Sequence, residues 1–158
     1  SEVLAPTTRN ADVVDAFVSA LARVLRTSLG EPARLAGLHV GRTLPAASLA
    51  VSVELTGGLR GPVTWVFSPD LARIVAARMM MTEEVPAEYI ADAVAELSNI
   101  ATGNATGPLH EAGFDVEIAP PVVLDCAAQP ELPRDQLVAT VTAASGTVRV
   151  YLGLEVAA

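Results

Sequence analysis

The chain contains no lysine; its ten basic residues are all arginine. Schiff-base chemistry and a phosphate-cradling Walker lysine are therefore excluded. Cys126 is the single cysteine, so an intramolecular disulfide is impossible and nothing marks an oxidising compartment. His39 and His110 lie in different segments, and neither His-x-x-x-His nor Cys-x-x-Cys spacing occurs, so no zinc site is expected. Gly-x-Gly-x-x-Gly and Gly-x-Ser-x-Gly are missing too, and Cys126 has no neighbouring base to activate it as a nucleophile. No run reaches the ~18 to 20 apolar residues that cross a bilayer. Ser1–Asn10 lacks the basic-then-apolar pattern of a secretory leader, so a cytoplasmic protein is expected.

What is present points to a compact globular chain: 158 residues, 51% hydrophobic and 18% charged. The net charge of -8, with the arginines scattered, argues against a nucleic-acid partner. No linker or repeat divides the sequence. The expected organisation is a flexible N-terminus over residues 1–10 followed by a single domain over residues 11–158.

Asp12–Leu29 reads as an amphipathic helix with Val13, Phe17, Leu21, Val24 and Leu25 inward, capped by Asn10 or Asp12 and stopped by Gly30. Between Pro32 and Pro45, Leu35, Leu38 and Val40 fit either a short strand or a packed connection. Leu49–Leu55 and Gly61–Phe67 form a hairpin around Gly57-Gly58. Ser68 and Pro69 open the next helix as N-cap and first helical residue, and Leu71, Ile74, Val75 and Met79 face inward. Met79-Met80-Met81 points in three directions on that helix, which favours packing over a soft-metal site. After the long helix described below, Asp115–Ile118 extends into Pro120-Pro121-Val-Val-Leu124. Cys126–Arg134 reads as a loop, and Gln136–Ala144 with Thr147–Val156 as a second hairpin. The fold class is α+β: a mostly antiparallel sheet with helices on one face.

The longest helix runs from Ala87 to about Thr106, and Gly107-Pro108 should kink or restart it before a last turn closed by Gly113. Ile90, Val94, Leu97 and Ala101 fall on its core side. Asp92, Glu96, Asn99, Gly103 and Thr106 fall within a sector of roughly 80° on the other. Asn and Gly are poor helix formers at exposed positions, so something besides helix stability has selected them. Glu96 and Asn99, at i,i+3, project together. Asn99 does not titrate, but its amide both accepts and donates, which suits it to holding a water in line with an electrophile. Glu96 can act as a base or grip a basic group on a partner. On spacing alone, a solvated face carrying two ordinary polar residues remains the simpler reading. Asp92 is also what the first half of a helix favours through its dipole.

At these residues the chain resembles the CheC/CheX family of chemotaxis phosphatases. The family motif is an Asp or Ser, three residues, a Glu, two residues, an Asn and a proline well downstream; here it reads Asp92, Glu96, Asn99, with Pro120 or Pro121. The following Asn-Ile-Ala-Thr-Gly-Asn-Ala and the Pro-Pro-Val-Val stretch resemble the family as well. Relatives with two motifs carry the second on the first helix, where this chain has Asp15 and Ser19 but Ala22 in place of the Asn. A single copy implies the CheX-like branch, typically a homodimer joined through its sheets; Pro108 is a departure from the family's long helix. The resemblance implies hydrolysis of the aspartyl phosphate on a CheY-type response regulator in a two-component pathway. Asn99 would orient the attacking water and Glu96 would pair with the regulator's active-site lysine. Asp92, Gly103 and Thr106 would form the partner-binding surface, and Mg2+ would be held by the regulator. No cofactor, metal, membrane or nucleic acid of its own is implied. The rival expectation is a non-catalytic adaptor or dimerisation domain using the same helix face.

Overall fold

A computed structural model describes residues 8–157. Helix α1 (Thr8–Leu29) is followed by strands β1 (Arg34–Thr43), β2 (Leu49–Gly57) and β3 (Leu59–Phe67), and then by helices α2 (Pro69–Met80) and α3 (Ala87–Glu111). Five strands complete the chain: β4 (Val116–Ile118), β5 (Val122–Leu124), β6 (Glu131–Ala143), β7 (Gly146–Leu152) and β8 (Glu155–Val156). The sheet runs β1-β6-β7-β3-β2-β4, with β5 continuing the β4 edge along β2 and β8 extending along β3. Every pairing is antiparallel.

Alternation along the strands separates two apolar layers. Val51, Val53, Trp65, Phe67, Ala139, Val141, Val148 and Val150 face the helices and pack with Phe17, Leu21 and Leu25 of α1, Leu71 and Val75 of α2, and Val94, Leu97 and Ala101 of α3. Ala50, Val66, Val138 and Tyr151 point the other way into a smaller cluster with Leu44 and Leu132, against which Leu124 and Cys126 rest. The α+β architecture with helices on one face is thus observed. Truncating one of the large core side chains, as in Leu97→Ala, costs about 2–5 kcal/mol.

Several boundaries differ from the sequence reading. Helix α1 begins at Thr8, so Asn10 and Asp12 lie within it and do not cap it. Residues 1–7, most of the expected flexible N-terminus, lie outside the described residues. The ambiguous segment after Pro32 is an edge strand, β1. Strand β6 begins at Glu131, inside the expected loop. Its one proline, Pro133, is tolerated because the pairing with β1 slips there: from Gly41 to Thr43 on β1 corresponds to Gln136 to Glu131 on β6. Ser68 occupies the N-cap position of α2, but its side chain makes no cap bond. Instead its Oγ accepts a hydrogen bond from the Thr147 backbone N–H at 3.1 Å, tying the helix start to β7.

Helix α3 also continues through Pro108 as one element, where a kink or restart was expected. Pro108 sits in its last turn, and its own carbonyl accepts from the Ala112 N–H at 3.0 Å. The helix then ends in a Schellman arrangement: Phe114 N–H donates to Leu109 C=O at 2.8 Å and Gly113 N–H to His110 C=O at 2.9 Å. Gly113 adopts φ 96°, a region where a side chain would be strained. Leu109 and Phe114, the pair such an ending brings together, are both buried.

Candidate functional site

The site is the outward face of α3, and its geometry is set by what holds the inward face. Ala93, Val94, Leu97, Ala101, Ala105 and Leu109 are buried there, together with two hydroxyls, Ser98 and Thr102. Buried hydroxyls need partners. Ser98 Oγ donates to Val94 C=O and Thr102 Oγ1 to Ser98 C=O, each at 2.7 Å. The Thr102 hydroxyl oxygen in turn accepts from the Trp65 indole Nε1–H at 3.0 Å. Trp65 is itself buried in the sheet and meets Phe17 of α1 edge-on, with ring centroids 6.2 Å apart. A directional bond from the central strand β3 thus locks α3 in rotation, and packing alone would do so less sharply.

With the inward side fixed, helical spacing determines the rest. Asp92 and Glu96 are exposed and Asn99 is half-buried. Among the described residues, none of these three side chains has a hydrogen-bond or ion-pair partner, so the carboxylates and the amide are open to an incoming molecule. Gly103 is half-buried: a Cβ placed on it would sit 4.0 Å from Ile118 Cδ1 of β4. The glycine therefore marks where the strip meets the sheet edge. Thr106 Oγ1 donates to Gly103 C=O at 2.6 Å, so its proton is already engaged inside the helix. Pro120 and Pro121 follow β4 on the same sheet edge, between it and β5, with Pro120 exposed.

The other candidate chemistries do not assemble. His110, at the end of α3, bonds the Asp115 carboxylate. His39 is on β1, and Cys126 follows β5. Among the described residues, no three His, Cys, Asp or Glu side chains come together as metal ligands. Partial burial, with the Asp125 carboxylate next to it, pushes the Cys126 thiol up, away from the thiolate a nucleophile needs. Met79 packs against the core, whereas Met80 and Met81 are exposed. No helix among the described residues is long and apolar enough to cross a membrane.

Sequence reasoning missed two sets of residues here. The Trp65–Thr102 bond joins residues far apart in the chain; its only local trace is a pair of hydroxyl residues, Ser98 and Thr102, at i,i+4 in the apolar stripe. Tyr89 and Ile100 lie on the outward strip, exposed by 46% and 44%. Apolar residues of a helix are ordinarily assigned to the core, but at about 100° per residue both fall beside Glu96, which is the signal the sequence carries for them.

The sequence model of a family described as chemotaxis phosphatase CheX matches residues 49–135. The CheY-P phosphatase CheX of Thermotoga maritima is 30% identical over 118 residues, which span 73% of this chain and 76% of that protein. In fold, the chain is similar to a chemotaxis protein CheX from Desulfovibrio desulfuricans, with a TM-score of 0.75 at 21% identity, covering 91% of this chain and 99% of that one. It is also similar to a chain of the CheX–CheY–BeF3–Mg2+ complex of Borrelia burgdorferi, with a TM-score of 0.65 at 22% identity, covering 90% and 97%.

Proposed function

Since the chain belongs to the CheX family of chemotaxis phosphatases, we propose that it hydrolyses the aspartyl phosphate of a CheY-type response regulator. The observation that carries this is the outward strip of α3, where Glu96 and Asn99 project side by side with no partner among the described residues. Water attacks phosphorus, the bond between phosphorus and the aspartate carboxylate oxygen breaks, and inorganic phosphate and free aspartate leave. Such phosphoryl transfer asks little covalent help of the protein; positioning is the main contribution. Asn99 accepts from and donates to the attacking water, holding it in line. Glu96 pairs with the regulator's active-site lysine and sets the register of the two proteins. Asp92, Gly103 and Thr106 belong to the contact surface, with Gly103 allowing close approach.

Magnesium enters with the regulator: the solved CheX–CheY complex of Borrelia burgdorferi contains BeF3 and Mg2+. Mg2+ held by the regulator would supply neutralisation of the phosphoryl charge, while Asn99 acts on the water and Glu96 on the regulator's lysine. The setting is cytoplasmic, as for a regulator acting within the cell. The protein works as a homodimer joined through its sheets. Strand β1, an edge strand carrying the exposed apolar side chains Leu35, Leu38 and Val40, supplies the surface for it. Sedimentation showing a monomer at micromolar concentration would refute the dimer.

The test is Asn99→Ala against a phosphorylated CheY-type regulator. Accelerated phosphate loss should fall by about 100-fold or more, in the range seen on removing a positioning or stabilising group, with regulator binding retained. Binding altered by Asn99→Ala, with no acceleration by the unsubstituted protein, would indicate an adaptor instead.

A further inference from the structure

The outward strip of α3 is not purely polar. Tyr89, Asp92, Glu96, Asn99 and Ile100 share a sector of about 100°, and Tyr89 and Ile100 lie about 16 Å apart along the axis with Glu96 between them. Both are among the exposed large apolar side chains of the described surface. They are not an overflow of the core, because the opposite side of the helix carries its own continuous buried row. Isoleucine also serves an exposed helix position less well than Ala, Leu or Glu by a few tenths of a kcal/mol. The charged residues of the helix up to its last turn are all acids, Glu88, Asp92 and Glu96; the first group able to carry positive charge is His110. A complementary surface must therefore bring a cationic group to the centre of the strip and apolar groups to either side of it.

We infer that Tyr89 and Ile100 are apolar anchors that dock the receiver domain of the phosphorylated regulator and set its affinity, while Glu96 and Asn99 act at the acyl phosphate. This rests on the reading of the site as a regulator phosphatase. If Glu96 and Asn99 reach an aspartyl phosphate, a receiver surface lies centred on them. An ordinary protein interface covers about 800 Å² per partner, a disc about 30 Å across. Tyr89 stands about 10 Å from Glu96 along the axis and Ile100 about 6 Å, so both fall under that disc. Aromatic residues are enriched at interface cores and energetic hot spots, which fits Tyr89, and Ile100 adds buried aliphatic area on the other side of Glu96.

The experiment compares Tyr89→Ala, Ile100→Ala and the double variant with the unsubstituted protein, using phosphorylated regulator for turnover. Binding is titrated separately with Mg2+ and beryllofluoride-loaded regulator. Each single variant should raise KM and Kd about 5- to 10-fold with kcat within about twofold, and Ile100→Leu should restore most of the loss. Val156→Ala, a truncation of a similarly exposed apolar residue on β8, should change neither. Thermal melting confirms that the variants fold. Unchanged KM and Kd in the double variant would overturn the inference. If the unsubstituted protein binds regulator without accelerating phosphate loss, the phosphatase reading fails, and the anchors are then judged by the titration alone.

Discussion

Both faces of α3 carry polar side chains and treat them in opposite ways. On the inward face, Ser98 and Thr102 are buried, and each hydroxyl is bonded, to a helix carbonyl or to the Trp65 indole. On the outward face, Asp92, Glu96 and Asn99 are left without partners among the described residues. A polar group inside must be satisfied by the fold or the fold loses stability. A polar group outside can stay unsatisfied by protein because water serves it until a partner arrives. The contrast separates what positions the site from what acts in it: inward substitutions should show in stability, outward ones in the reaction with the regulator.

The widest separation is expected for Glu96→Arg. In the proposed pairing with the regulator's lysine, a cation at this position would convert attraction to repulsion, and kcat/KM should fall by about 100-fold. The melting temperature should stay within about two degrees, because an exposed, unpaired carboxylate contributes little to stability. A regulator assay beside a thermal melt reads both; a large drop in melting temperature would break the division between the faces.

Thr102→Val is the inward counterpart. The replacement keeps the shape but leaves the Trp65 Nε1–H buried without an acceptor, a cost of about 1–3 kcal/mol by denaturant titration. Trp65 is the only tryptophan of the chain, so its emission should report the lost bond directly. At saturating regulator, turnover should change much less than in Asn99→Ala; an equal loss would mean that helix rotation and chemistry are not separable.

The smallest effect is expected far from both faces. Glu31 receives the backbone N–H of Ser145 at 2.8 Å and the Ser145 hydroxyl, anchoring the β6–β7 turn to the segment after α1. Those bonds hold its carboxyl below the ordinary value of 4.5. A carboxyl whose pKa is lowered by folding stabilises the fold above its unfolded value and loses that contribution as the pH falls through its folded value. Stability between neutral pH and about pH 5 should therefore be flat with respect to this group and decline below about 4.5. Glu31→Gln should flatten that acid-side decline slightly in melts across pH while leaving regulator dephosphorylation unchanged. An unaltered acid-side slope would dismiss the Ser145 link as a contributor.

How much of this could be read from the sequence follows from where the determining interactions lie. Helix periodicity and strand alternation are local, so the helices, the Leu49–Phe67 hairpin and the outward strip of α3 were legible. Strand β1 was not, because of a bulge. The register shifts between Leu35 and Gly37, so Leu35 opposes Val141 and Leu38 opposes Ala139, both on the helix side of the sheet. Two side chains three residues apart on one face do not read as period two. The start of β6 was hidden for a similar reason, Pro133 lying in an irregular stretch paired to the edge strand. Helix α3 passes through Pro108 because the residue sits in the final turn, next to an ending that Gly113 organises; a proline mid-helix would have acted as expected. The Trp65–Thr102 bond depends on tertiary placement, and the Ser98 and Thr102 hydroxyls in the apolar stripe do not by themselves name its partner.

The most direct test of the account is multiple turnover. A CheY-type regulator is phosphorylated on its aspartate in the presence of Mg2+ and mixed with this protein in substoichiometric amount, and phosphate release is followed over time. The account predicts that each molecule discharges many regulators, with a rate proportional to the protein added. Regulator that binds measurably but loses its phosphate at the rate seen without the protein would contradict it.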